Sequence, residues 1–313
     1  MTSDDSTGFE LSSSSYGKSR IRLVTVRRRA EAHDVRDLTL DVALEGDFEA
    51  VHTQGDNANV IATDTVKNTV YALAKDHLAG APEVLGLALG RHFAAYPQVE
   101  RATITLRQHP WSRIPAGGRD APDAFVRSGE STRIATISVG RSGPPGAGAA
   151  AAEPGDGTVT EAAGLVATVE AGIEDLTVLK TAKSAFTGFD RDRFTTLADA
   201  DDRLMATRLT ATWGYAGGAP ETSFRFDTAF DRLRSTLLAV FADHFSPSVQ
   251  ASIWIMGKAM LEAEPSVEWV RMILPNLHHW TVDLARFGLE NPGEVFVATT
   301  EPHGLIDATV RRR

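Results

Sequence analysis

The stretch SRIRLVTVRRRAEAHDVRDLTLDVALEG, residues 19–46, decides the fold class. Residues 19–29 and 35–46 read as strands, and in the second Leu38, Leu40, Val42 and Leu44 alternate onto one face. The short link at 30–34 suits a hairpin, so the pair is antiparallel. Working outward, two helices follow. NANVIATDTVKNTVYALAKDHL (57–78) sets Val66, Val70, Leu73 and His77 or Leu78 at helical spacing. PEVLGLALGRHFAAYP (82–97) has Pro82 near its start and Leu85, Leu89, Phe93 and Tyr96 on one stripe. Two more strands come next: VERATITLRQH (99–109), with Ala102, Ile104 and Leu106 in phase, and TRIATISVG (132–140), with Ala135, Ile137 and Val139.

The segment GRSGPPGAGAAAAEPGDGTV (140–159) is rich in Gly, Pro and Ala and has no apolar period, so it marks a loop or linker near mid-chain. Beyond it the order returns. GLVATVEAG (164–172), LTVLKT (176–181) and an extra TRLTATWGY (207–215) read as strands, helices run near 230–244 and 248–262, and VEWVRMIL (267–274) and HHWTVDL (278–284) read as closing strands. A ββααββ plan is thus used twice, through a repeat of pattern and not of sequence. Hairpin strands with helices grouped between them indicate an α+β fold with antiparallel sheet, not the alternating βαβ of a dinucleotide fold. The expected organisation is a flexible tail at 1–15, a first domain at 16–140, a linker at 141–160 and a second domain at 161–313.

Composition narrows the function. Of the 313 residues 42% are hydrophobic and 23% charged, as in an ordinary globular protein. A net charge of -9 argues against nucleic acid as partner, which normally needs a basic footprint. The absence of cysteine removes disulfides, thiolate metal sites, iron–sulfur clusters and a Cys nucleophile together. No window is apolar for long enough to span a membrane. The polar start lacks the apolar core of a secretory signal, and the ending ATVRRR is not a peroxisomal address, so a cytoplasmic location is expected.

Familiar catalytic motifs are missing. YGKS (16–19) ends like a phosphate loop, but Ser12 stands where its first glycine belongs and a strand follows. The mid-chain glycines lack the strand-to-helix context of a dinucleotide fingerprint, and there is no G-x-S-x-G elbow or H-E-x-x-H pair. Several residues have ordinary readings when taken singly. Thr63-Asp64 suits a helix N-cap, and Lys18 an exposed residue at the tail's edge. Phe186 suits a packed loop aromatic, and Arg203 a solvated helix charge among acids. Gln250 suits a first helical turn capped by Ser246 or Ser248. His278 and His279, adjacent on a strand, face opposite ways and do not grip one ion.

In one order, however, the chain carries YGKSRIR (16–22), ATDTVKNTVYALAK (62–75), LTVLKTAKSAFTGFDRDRFTTL (176–197), SVQASIW (248–254), LPNLHHWTVDL (274–284) and EPHGLIDATV (301–310). Through these it resembles the urate oxidase (uricase) family over nearly its whole length. The resemblance implies two tandem tunnelling-fold (T-fold) domains whose antiparallel sheets close into barrels between subunits of a homotetramer. It implies oxidation of urate by dioxygen and water to 5-hydroxyisourate and hydrogen peroxide, with no cofactor and no metal.

Position by position, Arg203 and Gln250 match the purine clamp, with Val249 beside it, and Phe186 matches the ring on which the purine lies. Asn276 matches the residue that holds dioxygen or water over the purine, and Lys18, Thr63 and His278 match the proton relay. Thr63 and the backbone N–H of Asp64 would reach the substrate from a neighbouring subunit. The chemistry suits the residue types. A guanidinium donates two parallel bonds to a carbonyl and ring nitrogen, a carboxamide both donates and accepts, and a hydroxyl passes a proton because it does the same.

Two rivals make different demands. A T-fold pterin enzyme recognises its ring through a buried Glu and, where zinc-dependent, needs Cys or clustered His, whereas here the position holds Gln250 and there is no Cys. A catalytically dead purine-binding relative would lack the relay, yet Lys18, Thr63 and His278 are all present.

Overall fold

The computed structural model describes residues 8–77, 80–129, 131–141, 164–216 and 224–313. The linker expected at 141–160 lies outside them, apart from Arg141, as does the first part of the tail. The chain forms two compact units, Met1–Gln108 with Ala135–Val169 and His109–Ile134 with Glu170–Arg313.

The first unit contains strands β1 (Tyr16–Arg28) and β2 (His33–Gly46), helices α1 (Glu49–Thr53), α2 (Thr63–His77) and α3 (Pro82–Ala94), and strand β3 (Val99–His109). A hairpin of β4 (Trp111–Ala116) and β5 (Arg119–Arg127), assigned to the second unit, precedes β6 (Thr132–Arg141). The sheet runs β1-β2-β3-β6. Its buried face collects the alternating residues of the sequence: Leu38, Leu40, Val42 and Leu44, then Ile104 and Leu106, then Ile137 and Val139. Val66 and Val70 of α2 and Leu85, Leu89 and Phe93 of α3 are buried with them. Helix α3 approaches closely because Gly86 and Gly90 face β6: a Cβ there would stand 2.4 Å from Ile137 Cδ1 and 2.5 Å from Val139 Cγ2.

The second unit continues with β7 (Leu165–Lys180), which starts in the first, β8 (Met205–Tyr215), α4 (Phe226–Asp243), α5 (Val249–Ala263), β9 (Val267–Leu277), β10 (His279–Thr281), β11 (Phe296–Ala298) and β12 (Gly304–Arg311). Here the order is β7-β8-β9-β12, with antiparallel pairings β7–β8, β8–β9 and β9–β12. Leu209, Ala211 and Trp213 of β8 and Val270, Met272 and Leu274 of β9 are buried along with Leu233 and Leu237 of α4 and Ile253, Met256 and Met260 of α5.

Two expectations need correction, and one hairpin carries no signal in the sequence. The two strands expected at 164–172 and 176–181 are one strand, β7, whose register shifts between Ile173 and Leu176 where Asp175 takes φ 58. The bulge breaks the period-two pattern and so mimics a strand end. HHWTVDL is not the closing strand: only His279–Thr281 is extended, it pairs with β11, and β12 completes the sheet against β9. The hairpin β4–β5 was not foreseen, because both strands are largely exposed, Pro115 and Pro122 interrupt them, and their turn rests on Gly117 and Gly118 at φ 60 and 79. Among the described residues no helix is long and apolar enough to cross a membrane.

Candidate active site

Most of the candidate residues lie in the second unit, and backbone bonds gather them. After β7 the chain turns back so that Ala185 N donates to Ser246 O at 2.8 Å, Phe186 N to Ala200 O at 2.8 Å, and Arg203 N to Ser184 O at 2.7 Å. These bonds set the Arg203 guanidinium over the Phe186 ring, with Cζ 5.2 Å from its centroid. Phe189 stacks on Phe186 at 4.9 Å with planes 8° apart. The ordinary reading of Arg203 as a solvated helix charge does not hold: the residue lies in the non-helical approach to β8. It is half-buried, its Nε is buried without a hydrogen-bond partner, and burial pushes the guanidinium pKa down. An unpaired buried N–H costs roughly 1–3 kcal/mol until something accepts from it.

Helix α5 starts beside this pair. Ser248 caps it, its hydroxyl accepting from Ala251 N at 3.1 Å, which fulfils one of the two expected caps. Val249 is buried at 3% exposure, while Gln250 is exposed in the first turn. Asn276, near the end of β9, lies across from Thr207 of β8 and Gly304 of β12, so its side chain shares their row. Thr207 is itself buried with its hydroxyl unbonded.

His278 does not sit within a strand; it occupies the break between β9 and β10. Its carbonyl accepts from Thr299 N at 2.9 Å, and its ring lies 5.3 Å from that of Trp280, 27° from parallel. Burial first, then electrostatic interaction with Arg203, His303 and His279, holds its pKa below the usual histidine value. The ring is therefore neutral at neutral pH and able to accept a proton.

Lys18, Thr63 and Asp64 belong to the first unit. Lys18 is half-buried at the beginning of β1, just before the register shift between Lys18 and Ile21. Gly17 is obligatory there, because a Cβ would stand 1.9 Å from the Val42 carbonyl oxygen. Tyr16 Oη accepts from Ile61 N at 2.8 Å, fastening this end of β1 to the approach of α2. Thr63 is the first residue of α2 and not its cap: Val66 N donates to Ala62 O at 3.1 Å, which puts Ala62 in the cap position. The Asp64 carboxylate accepts from Lys67 Nζ and, at 3.0 Å, from Asn68 Nδ2. The Lys67 bond above all, with Asn68 and the charge of Lys18 behind it, lowers the Asp64 pKa. The roles of Tyr16, Gly17, Lys67 and Asn68 were not foreseen, although all stand within the quoted segments YGKSRIR and ATDTVKNTVYALAK.

The family model described as Uricase matches residues 14–138 and 169–307. A relative named Uricase from Arthrobacter globiformis is 40% identical over 314 residues, covering 99% of this chain and 93% of the relative. Another named Uricase, from Emericella nidulans, is 34% identical over 314 residues, covering 95% and 96%. The crystal structure of uricase from Arthrobacter globiformis matches with a TM-score of 0.83 at 39% identity, over 97% of this chain and 95% of that one.

Proposed function

The chain belongs to the uricase family, and from that premise we propose that it is a urate oxidase that converts urate, dioxygen and water into 5-hydroxyisourate and hydrogen peroxide without a cofactor. The observation that carries this reading is the half-buried Arg203, with a buried unpaired Nε, over the face of Phe186. Such a pair suits a flat, anionic, carbonyl-bearing ring: the aromatic fixes its plane and the guanidinium donates in that plane. Gln250, at the exposed start of α5, supplies the second side of the clamp, with Val249 beside it.

Urate becomes electron-rich enough to reduce dioxygen once it has lost protons. Lys18, Thr63 and His278 remove and carry one of them. His278, uncharged at neutral pH, accepts without first having to lose a proton of its own. Asn276 holds dioxygen and then water above the ring. Thr63 and the Asp64 N–H, at the start of a helix whose first N–H groups lack helical partners, contact the five-membered ring. They do so from a second copy of the chain. In this reading each unit is a T-fold domain, and a homotetramer closes the sheets into barrels with sites shared between subunits. The test is loss of the urate absorbance band under air with one hydrogen peroxide released per urate. Absence of turnover at micromolar enzyme overturns the reading.

A further inference from the structure

Phe186 is fixed at its backbone but not, by those bonds, at its ring. Its N–H donates to Ala200 O at 2.8 Å and its carbonyl accepts from Ala200 N at 3.0 Å, which closes a loop of residues 187–199 between β7 and β8. The side chain is half-buried, so the bridge leaves its rotamer open. The ring nevertheless has a parallel neighbour from its own loop. Gly188, at φ 69, turns the chain back, and Phe189 stacks on Phe186 with centroids 4.9 Å apart and planes 8° apart.

Phe189 is pinned in its turn. The guanidinium carbon of Arg191 lies 4.4 Å from the Phe189 centroid. Arg191 Nη1 donates to Leu197 O at 2.9 Å, and Nη2 lies 3.0 Å from Asp199 Oδ1. That same oxygen accepts from Gly188 N at 3.1 Å. Asp199 immediately precedes Ala200, so the turn that carries Phe189 and the bridge that carries Phe186 share one anchor. An aromatic ring has two faces for stacking, and Phe189 takes one of those of Phe186.

We propose that Phe189 is a positioning residue for the purine: it holds the Phe186 ring at one tilt and leaves a single face on which a planar substrate can stack. This rests on the urate-site reading given above. Phe189 meets no substrate in this arrangement and acts through Phe186 alone, so what it supplies is preorganisation. Arg203, with its guanidinium carbon 5.2 Å from the Phe186 centroid, reaches the edge of a purine only when that purine lies in the plane the ring sets. Without Phe189 the Phe186 ring turns into other rotamers, and only the fraction left in the stacking one binds. An aromatic contact of this kind shifts such a population about two- to tenfold.

The experiment is calorimetric binding of 8-azaxanthine, an inert purine-dione in which nitrogen replaces the 8-oxo carbon of urate, beside urate kinetics, on the intact protein and its variants. Phe189→Leu should weaken the analogue about two- to tenfold. KM should rise by the same factor while kcat stays within about twofold, because the relay is untouched. Phe189→Tyr keeps the ring and should bind as the wild type does. In a Phe186→Leu background, Phe189→Leu should cost no further affinity, since no ring is left to position. Arg191→Ala keeps the Phe189 ring but removes its pin, and should show a smaller loss of the same kind; it serves where Phe189→Leu fails to fold. Unchanged affinity in the folded variants, or a loss equal with and without the Phe186 ring, overturns the role of Phe189 while urate is still turned over. No azaxanthine binding and no urate turnover by the wild type overturns the purine-site reading itself.

Discussion

At the residue scale, the clamp and the relay should separate kinetically. Arg203 and Gln250 are proposed to hold substrate and inert analogue alike, so Arg203→Ala or Gln250→Ala should weaken analogue binding and raise KM. A lost hydrogen bond between charged partners is worth about 1.5–3 kcal/mol, or roughly ten- to a hundredfold. Unchanged analogue affinity in both variants would reject the clamp. Lys18→Met should leave analogue binding nearly intact while kcat falls by on the order of 10²- to 10⁴-fold, the usual worth of a positioned proton acceptor; Thr63→Ala should lower kcat similarly and, losing its contact with the ring, also weaken the analogue. His278 adds a sign. Burial, then Arg203, His303 and His279, lowers its pKa, so the neutral ring survives through neutral pH and takes up a proton only below the ordinary value of about 6.5. The kcat profile should be level near neutrality and decline on the acid side, and His278→Asn should show a low kcat with that decline gone. An unaltered acid limb in the variant would assign it to another group.

At the scale of elements, backbone positions do as much as side chains. Gly17→Ala forces a Cβ to within 1.9 Å of the Val42 oxygen, so β1 must shift against β2 and carry Lys18 with it. The expected result is a lower melting temperature together with a fall in kcat larger than any change in analogue affinity; loss of stability with full activity would show that Lys18 does not depend on this register. Ser248→Ala removes the cap of α5 and should cost about 1 kcal/mol, lowering the melting temperature by about 2–4 °C. Elements with one buried face were legible in the sequence: β2, β3, β6 and α3 bury the residues that alternation or helical spacing selects. Where a bulge shifts the register, as at Asp175, the pattern suggested two strands for one. Exposed β4 and β5 carry no apolar alternation, so nothing marked them. The candidate site was not legible from pattern at all, because Arg203, Gln250 and His278 look ordinary one by one. The quoted motifs named Gln250 and His278, Arg203 was placed by its spacing from the end of the 176–197 motif, and only the three-dimensional arrangement shows Arg203 half-buried over an aromatic ring.

At the scale of the whole molecule, the division of the candidate residues bears on assembly. Lys18, Thr63 and Asp64 belong to one unit, while Phe186, Arg203, Gln250, Asn276 and His278 belong to the other. Strand β1 ends the strand order of the first unit and β12 that of the second, each with an edge that pairs with no other described strand. Unpaired edges are normally covered or joined to another chain. Apolar side chains also face outward, among them Val24 and Val26 on β1, Leu305 on β12 and Trp254 on α5, each at least 40% exposed. The proposed homotetramer would cover these edges and side chains, and the proposed shared site makes that assembly a condition of activity. Complementation tests it. Thr63→Ala and Arg203→Ala chains, each nearly inactive alone, are co-expressed with different tags and the mixed oligomers purified through both. Within a mixed pair, one site combines Arg203 from the first chain with Thr63 from the second and is intact, while the reciprocal site lacks both. Activity should return to a measurable fraction of wild type in the doubly tagged fraction and nowhere else. Mixed oligomers that form yet remain inactive, beside active wild-type oligomers prepared identically, would place Thr63 and Arg203 in a site built from a single chain.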